Sequence, residues 1–540
     1  MPESSPHAEP TPQPGLPVRV AGPAARISAA LILAAGLTTA VAHHLLTAVL
    51  PWDDAYITFR YAERLAAGAG MTFNDGERIF GSSTPLYTLW LAAGRLILPG
   101  VSLPAFAVRG NLVFFLISAL ALGAVGASLT SRREGGWALA GAYLLSPWML
   151  TVSTGGMESS LFVALALGAA ACGLRHRFIP AAALAGLAVV TRPEGILVAA
   201  PLVALWAMRR RPHAVATALL LVAPGAFWIV GATLYFGSPI PQSIIAKLAP
   251  LYELPPAYAF LGLVAWMGRW SLPLPVLDPA PARDIAAFLL AQAGAVGLVL
   301  DPRARRAGGW LAAVLLEILV FFYGLTNPQL FDWYTAPVFP LWLIALGVGL
   351  PALGRVLFRQ ASRQRAMARA ATLAVAIGTA LALAGWGTGR IDPAHSNLRL
   401  RTLAYRDAAL RLNAIAPRGG TLAAAEIGAL GYWWHGRILD ACGLVSPQTV
   451  PFLPVPRAER PDFRTSPIPL GLIQAERPDF IVSLPLFIST TLLRSDWFGR
   501  TYLPLGEVPL PRRVWGADSV LIFQRGDLPA PILPADGVSP

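Results

Sequence analysis

Charge is scarce in this chain. Asp, Glu, Lys and Arg together make up 13% of its 540 residues, where a soluble domain carries roughly a quarter. With 55% hydrophobic residues and a mean hydropathy of +0.57, a soluble globular class is excluded. Cysteine is scarce too. Cys172 lies in an apolar run and Cys442 in the polar C-terminal part, so no disulfide framework is expected, and no Cys/His cluster has zinc spacing. No Gly-rich loop follows a strand, which removes a nucleotide-phosphate cradle. Acidic residues number 29 against 42 basic ones, a net charge of +13. That surplus sits in short clusters between apolar runs, with no interleaved basic and aromatic patch. It is the orienting charge of a polytopic membrane protein and not a nucleic-acid footprint.

What is present is a series of apolar runs. Residues 1–26 are Pro-rich and polar, a disordered tail by composition. About eleven spans follow at helical rise: 27–50, 106–130, 135–153, 157–174, 178–191, 195–208, 214–236, 284–300, 309–325, 335–356 and 369–388. Ala40-Val41-Ala42 mimics a signal-peptide cleavage site, but the first run is long enough to span and reads as a retained anchor. Arginines recur in alternate connections: 132–133, 175–177, 209–211, 303–306 and 355–369. The positive-inside rule then places the N-terminus in the cytoplasm. It puts 51–105, 237–283, 326–334 and everything beyond about residue 389 outside. Leu86 to Leu98 is short and holds Arg95. Counting it as a span would invert every later loop, so it is expected to lie on the membrane as an interfacial helix, with Tyr56 to Ala67 beside it.

The expected architecture is therefore an all-α polytopic domain over 27–389 and a small mixed α/β domain over 390–540. In the latter, Asn397 to Ile415 reads as an amphipathic helix with Arg399, Arg401, Arg406 and Arg411 on its polar side. Short β-like runs lie at Thr421–Ala425, Arg437–Leu439, Phe480–Ser483 and Ser519–Gln524.

The candidate chemistry gathers at the outer face. Asp53 and Asp54 open the first outer loop, and carboxylates beside a bilayer are expensive enough to suggest function. The competing reading makes Asp54 the N-cap of the segment from Tyr56 to Ala67. Glu158 follows the Gly155-Gly156 turn and suits either a helix cap or a binding role. Arg192 and Glu194 flank Pro193 as an ion pair or a site. Lys247 either snorkels to headgroups or meets a ligand. His43 and His44 near Asp53 and Asp54 raise a metal as one option, ordinary interface histidines as the other.

Asp53-Asp54-Ala55-Tyr56-Ile57-Thr58-Phe59-Arg60-Tyr61-Ala62, then Asn74-Asp75-Gly76-Glu77 and Gly81-Ser82-Ser83-Thr84-Pro85-Leu86, resembles the first outer loop of C-type (GT-C) integral-membrane glycosyltransferases. Within that class the likeness is to members similar to the mycobacterial terminal β-(1→2) arabinofuranosyltransferase, and more distantly to polyprenyl-phosphate-mannose-dependent mannosyltransferases. Gly155-Gly156-Met157-Glu158-Ser159, Thr191-Arg192-Pro193-Glu194-Gly195, Pro241-Gln242-Ser243-Ile244-Ile245-Ala246-Lys247 and Gly428-Ala429-Leu430-Gly431-Tyr432 recur in the same order. The run Phe80-Gly81-Ser82-Ser83 departs from a Glu-Gly-Tyr-Thr-like pattern.

The resemblance implies a sugar donor on a polyprenyl phosphate and a glycan or lipid acceptor, handled at the outer face of a bacterial cytoplasmic membrane. On this reading Asp54 is the base, with Asp53 as alternate base or ligand of a divalent metal (Mg or Mn). Lys247 and Arg192 meet the donor phosphate, and Glu158 and Tyr56 contact substrate. Trp433 and His435 hold the acceptor, or serve the core of the outer domain. A single base suits displacement with inversion. The rivals are a transporter or flippase, which would bury its polar groups near the midplane, and a scaffold that kept the fold without activity.

Overall fold

The computed structural model describes residues 22–208, 213–248, 251–252, 254–255, 257–271, 280–326, 329–358 and 397–529. The expected span 369–388, the tail 1–21, Arg209 to Arg211 and the arginines from 359 to 369 lie outside them.

Ten of the expected spans fall on helices: α1 (Pro23–Leu46), α4 (Leu103–Thr130), α5 (Arg133–Leu145) with α6 (Pro147–Ser153), α7 (Ser159–Leu174), α8 (Phe178–Thr191), α9 (Gly195–Ala207), α10 (Ala214–Phe236), α13 (Ala280–Leu300), α15 (Gly309–Thr326), and α16 (Val338–Ile344) leading into α17 (Leu350–Leu357). Among the described residues, six stretches are long and apolar enough to cross a membrane: Pro23–Leu46, Leu103–Thr130, Ala214–Phe236, Pro281–Leu300, Gly309–Thr326 and Val338–Leu357. The others are shorter. The expected span 135–153 is broken at Ser146, which caps α6 through its hydroxyl ahead of Pro147, because a proline belongs in a helix's first turn and not its middle. Small residues let the helices close up. A Cβ on Gly36 would sit 2.9 Å from the Gly141 carbonyl oxygen where α1 meets α5.

Among the described residues, the arginine-bearing connections after α7 and α13 and the last turn of α17 share one end. Asp301 there pairs with Arg355 at 2.6 Å, and Leu174 packs against Gly308. At the other end, α2 (Asp53–Ala66) and α3 (Pro85–Ile97) pack on each other and on α4. Leu96 and Ile97 stay exposed, as an interfacial helix requires. The short α11 (Gln242–Leu248) belongs to this same end, Gln242 N–H bonding the Phe80 carbonyl, and α12 (Tyr258–Ser271) packs along α13 and α15. Phe260 of α12 meets Phe288 and Gly324 near the corresponding ends of α13 and α15.

The C-terminal unit is a helix, α18 (Asn397–Ile415), against a five-stranded sheet of order β2-β1-β3-β5-β4. β1 (Thr421–Ala424), β2 (Arg437–Asp440) and β3 (Phe480–Ser483) are parallel. β5 (Ala517–Arg525) runs antiparallel to β3 and to β4 (Tyr502–Val514). The strand missed in sequence is β4, which holds Pro504, Pro509 and Pro511. It lies at the sheet edge, where a missing N–H costs no ladder bond. α18 has the expected bounds, but Arg399 is not on a polar side. It is fully buried, donates to Thr154 Oγ1 at 3.2 Å and lies over the Trp52 ring. The sequence pattern puts it on the polar side, whereas its packing docks the unit onto the bundle.

Docking is extensive, and one buried apolar core runs from the helices into the sheet. Arg60 donates to the carbonyls of Phe73, Trp434 and Gly436. Asn74 exchanges both amide bonds with Ile438, and Glu77 pairs with Arg437 at 2.6 Å. The conspicuous polar turn of the first loop is thus a clamp on β2.

Candidate active site

α2 begins at Asp53, with Trp52 extended before it and no side-chain cap. Both aspartates therefore sit in the first turn, where the helix dipole favours anions. Successive helical residues point about 100° apart, and the two carboxylates part company. Asp53 is 3% exposed. Its Oδ2 accepts from Gly428 N–H at 3.0 Å and its Oδ1 from Ala429 N–H at 2.8 Å. It thus caps α19 (Gly428–Trp433) in the C-terminal unit. Gly428 has to be glycine, since a Cβ there would overlap the Asp53 backbone carbonyl and sit 2.6 Å from Oδ2. Asp54 caps nothing and accepts no hydrogen bond among the described residues. Burial, then the neighbouring Asp53, pushes its carboxyl up to about 6, against the pull of Lys247 and Arg401.

Lys247, on α11, donates to the Tyr334 hydroxyl at 3.1 Å and lies over that ring, with an exposed ammonium. Tyr334, then Asp54 and Glu194, hold its charge above the ordinary range despite surrounding protein. Arg192 touches the same ring from another side. Its guanidinium is buried and engaged: Glu194 at 2.9 Å, Glu158 at 3.4 Å, the Ser159 hydroxyl at 3.3 Å. Tyr323 completes the knot by donating to Glu194. Glu158 precedes α7 without capping it. A fully neutralised buried cation of this kind holds elements in place, so Arg192 reads as the frame and Lys247 as the available cation.

The C-terminal unit supplies the opposite wall. Gln242 donates to Gly443 O at 3.1 Å, bringing the loop after β2 over α11. Cys442 on that loop, a free thiol, is within electrostatic reach of Asp54, Lys247 and Glu426. Glu426, just past β1, pairs with Arg401 at 2.6 Å and accepts from the Tyr405 hydroxyl at 2.7 Å. Burial pushes its carboxyl up to about 7, Arg401 opposing. Glu426, and Arg401 as a site residue, escape the sequence reading. An acidic residue directly after a predicted strand was a usable signal, because parallel sheets present ligand sites at the carboxyl ends of their strands.

Other expected residues lie elsewhere. Tyr56 is buried against Phe59 and Tyr432, and burial raises its phenol. Trp433 and His435 are strapped to Asn413 of α18, which donates to Trp433 O and accepts from His435 N–H. The donor set at Asp53 does not fit a metal. Both its oxygens are taken by amides, and among the described residues no group of three His, Cys, Asp or Glu is placed to hold one. A cavity lined by apolar residues of α4, α7, α9, α15 and α16 runs along the bundle, from Leu174 and Gly308 at the arginine end to Val163 and Pro337 towards the other. Val163 adjoins Phe162, whose ring lies under Arg192.

The fold is of the GT-C type. It is similar to the crystal structure of ArnT from Cupriavidus metallidurans bound to undecaprenyl phosphate. The TM-score is 0.54 at 16% identity, covering 91% of this chain and 97% of that one. ArnT in the apo state aligns at TM-score 0.55 and 16% identity, over 92% and 98% of the two chains. Residues 396–523 match a family described as a domain of unknown function (DUF8728). No curated protein matches by sequence.

Proposed function

We propose that the chain is a membrane glycosyltransferase. It moves a sugar from a polyprenyl phosphate to a glycan or lipid acceptor at the outer face of a bacterial cytoplasmic membrane. The observation that carries this reading is the freed Asp54 between two walls. One is the membrane-side wall with Lys247, and the other is the wall of the C-terminal unit with Glu426. The likeness to ArnT, captured with a polyprenyl phosphate, supports the donor class. The apolar cavity, which reaches the Arg192 frame at Val163 and extends along the bundle, suits an isoprenoid tail.

In this mechanism the acceptor hydroxyl gives its proton to Asp54 while its oxygen attacks the anomeric carbon. The bond from that carbon to the phosphate oxygen breaks, and polyprenyl phosphate leaves with the electron pair. A carboxyl raised to about 6 is ionised at neutral pH yet more basic than an ordinary aspartate, the compromise general-base catalysis favours. Lys247 stabilises the negative charge that grows on the phosphate. One base and no covalent intermediate give inversion. The group moved is a hexosyl or a pentosyl one, arabinofuranosyl among the latter. The orientation follows from the arginine connections: N-terminus cytoplasmic, residues 27–389 the membrane domain and 390–540 an outer domain. Against a transporter stands the grouping of these ionisable side chains at one end of the bundle. The test is the purified full chain with labelled polyprenyl-phosphate pentoses and hexoses and a panel of methyl glycosides as acceptors. Transfer with release of polyprenyl phosphate is expected; none from any donor refutes the reading.

A further inference from the structure

In the sheet order β2-β1-β3, the chain leaves β1 to one side and returns to the other. The carboxyl ends of β1 and β3 therefore flank a topological switch point, where open parallel sheets form their ligand crevice. Here that crevice faces the bundle, since the segments after β1 and β2 are the ones touching Asp53 and α11.

Three features meet there. Glu426 follows β1. Arg401 pairs with it through one nitrogen, while its Nε and Nη1 are buried with no hydrogen-bond partner among the described residues. Leaving two guanidinium donors dry is costly unless something fills the site. Trp515, in the β4–β5 turn, lies 4.6 Å from the Arg401 guanidinium carbon and remains 48% exposed. A carboxylate acceptor, a guanidinium donor and an indole that stays half exposed between Arg401 and Phe487 suit a neutral polyhydroxylated ring, whose vicinal hydroxyls both give and take hydrogen bonds. A phosphate would be repelled by Glu426 and has Lys247 instead.

We infer that Glu426, Arg401 and Trp515 form the acceptor subsite, binding a neutral sugar ring so that one hydroxyl reaches Asp54. This rests on the transferase reading above and adds where the acceptor lies. The donor, held in the lipid by its tail, enters on the Lys247 side; the acceptor takes the side of the C-terminal unit.

The experiment compares wild type with Glu426→Gln, Arg401→Gln and Trp515→Ala in the transfer assay, varying donor and methyl-glycoside acceptor separately. Losing a hydrogen bond to a charged group costs about 10- to 100-fold in affinity. The acceptor KM is therefore expected to rise about 10-fold or more in Glu426→Gln and Arg401→Gln, with donor KM unchanged. Because lost uniform binding leaves turnover intact, kcat at saturating acceptor should stay within about threefold in Trp515→Ala, the one of the three that changes no charge near Asp54. Trp515→Ala, at an exposed turn where misfolding is least expected, should raise acceptor KM about 5- to 100-fold as a stacking surface is lost. An unchanged acceptor KM in active variants, or a rise in donor KM instead, overturns this inference alone. A wild-type chain inert with every donor overturns it together with the transferase reading.

Discussion

The two adjacent aspartates should separate cleanly when each is replaced by asparagine. Asp54→Asn keeps shape and removes the base, so transfer should fall by ~10²–10⁴-fold. Its effect on stability has the opposite sign. A carboxyl whose folded pKa is about 6 against an ordinary 3.8 binds its proton more tightly when folded. Its stabilising contribution is complete below about pH 4 and is lost as pH rises through 6. At pH 7.5 the charged group therefore costs at most about 3 kcal/mol, and a neutral amide relieves it. Asp54→Asn should melt no lower than wild type. Asp53→Asn does the reverse. One oxygen becomes an NH₂ facing a backbone N–H, so a charge-assisted bond to Gly428 or Ala429 is lost and a buried donor left unpaired, about 2–4 kcal/mol together. Thermal unfolding in detergent at pH 7.5, beside the transfer assay, reads both. The reasoning fails if Asp54→Asn transfers at near wild-type rate, or if Asp53→Asn melts with wild type.

The pH profile of kcat/KM should climb through a limb centred near 6, as Asp54 loses its proton, and the residual activity of Asp54→Asn should lack that limb; a wild-type profile flat from pH 5 to 8 contradicts the assignment. Lys247→Ala should raise donor KM or lower kcat about 10-fold or more, since a charge-assisted contact to phosphate is lost; unchanged donor kinetics would leave Lys247 as a surface cation. Gly428→Ala should destabilise the chain by about 1–3 kcal/mol because its Cβ has no room beside Asp53; an unshifted melting temperature would show that the two segments are not docked as described.

Much of this protein was legible in the order of its residues. The long apolar runs needed no tertiary information, because a backbone in lipid has few alternatives to a helix. Three parallel strands and the helix Asn397–Ile415 were visible from local pattern alone. Asp53 and Asp54 stood out because carboxylates beside a bilayer are costly. What the sequence could not decide was which of the two is free, since adjacent residues share every local property. That choice is made by Gly428 and Ala429, some 375 positions away, whose amides claim Asp53. In the same way, Arg192 and Lys247 look alike as isolated cations. Only packing shows that Glu158 and Glu194 neutralise one while the other, bonded to the Tyr334 hydroxyl, stays exposed. Glu426 and Arg401 join the site through a strand end and a distant helix, a juxtaposition set by the sheet's topology and not by local spacing.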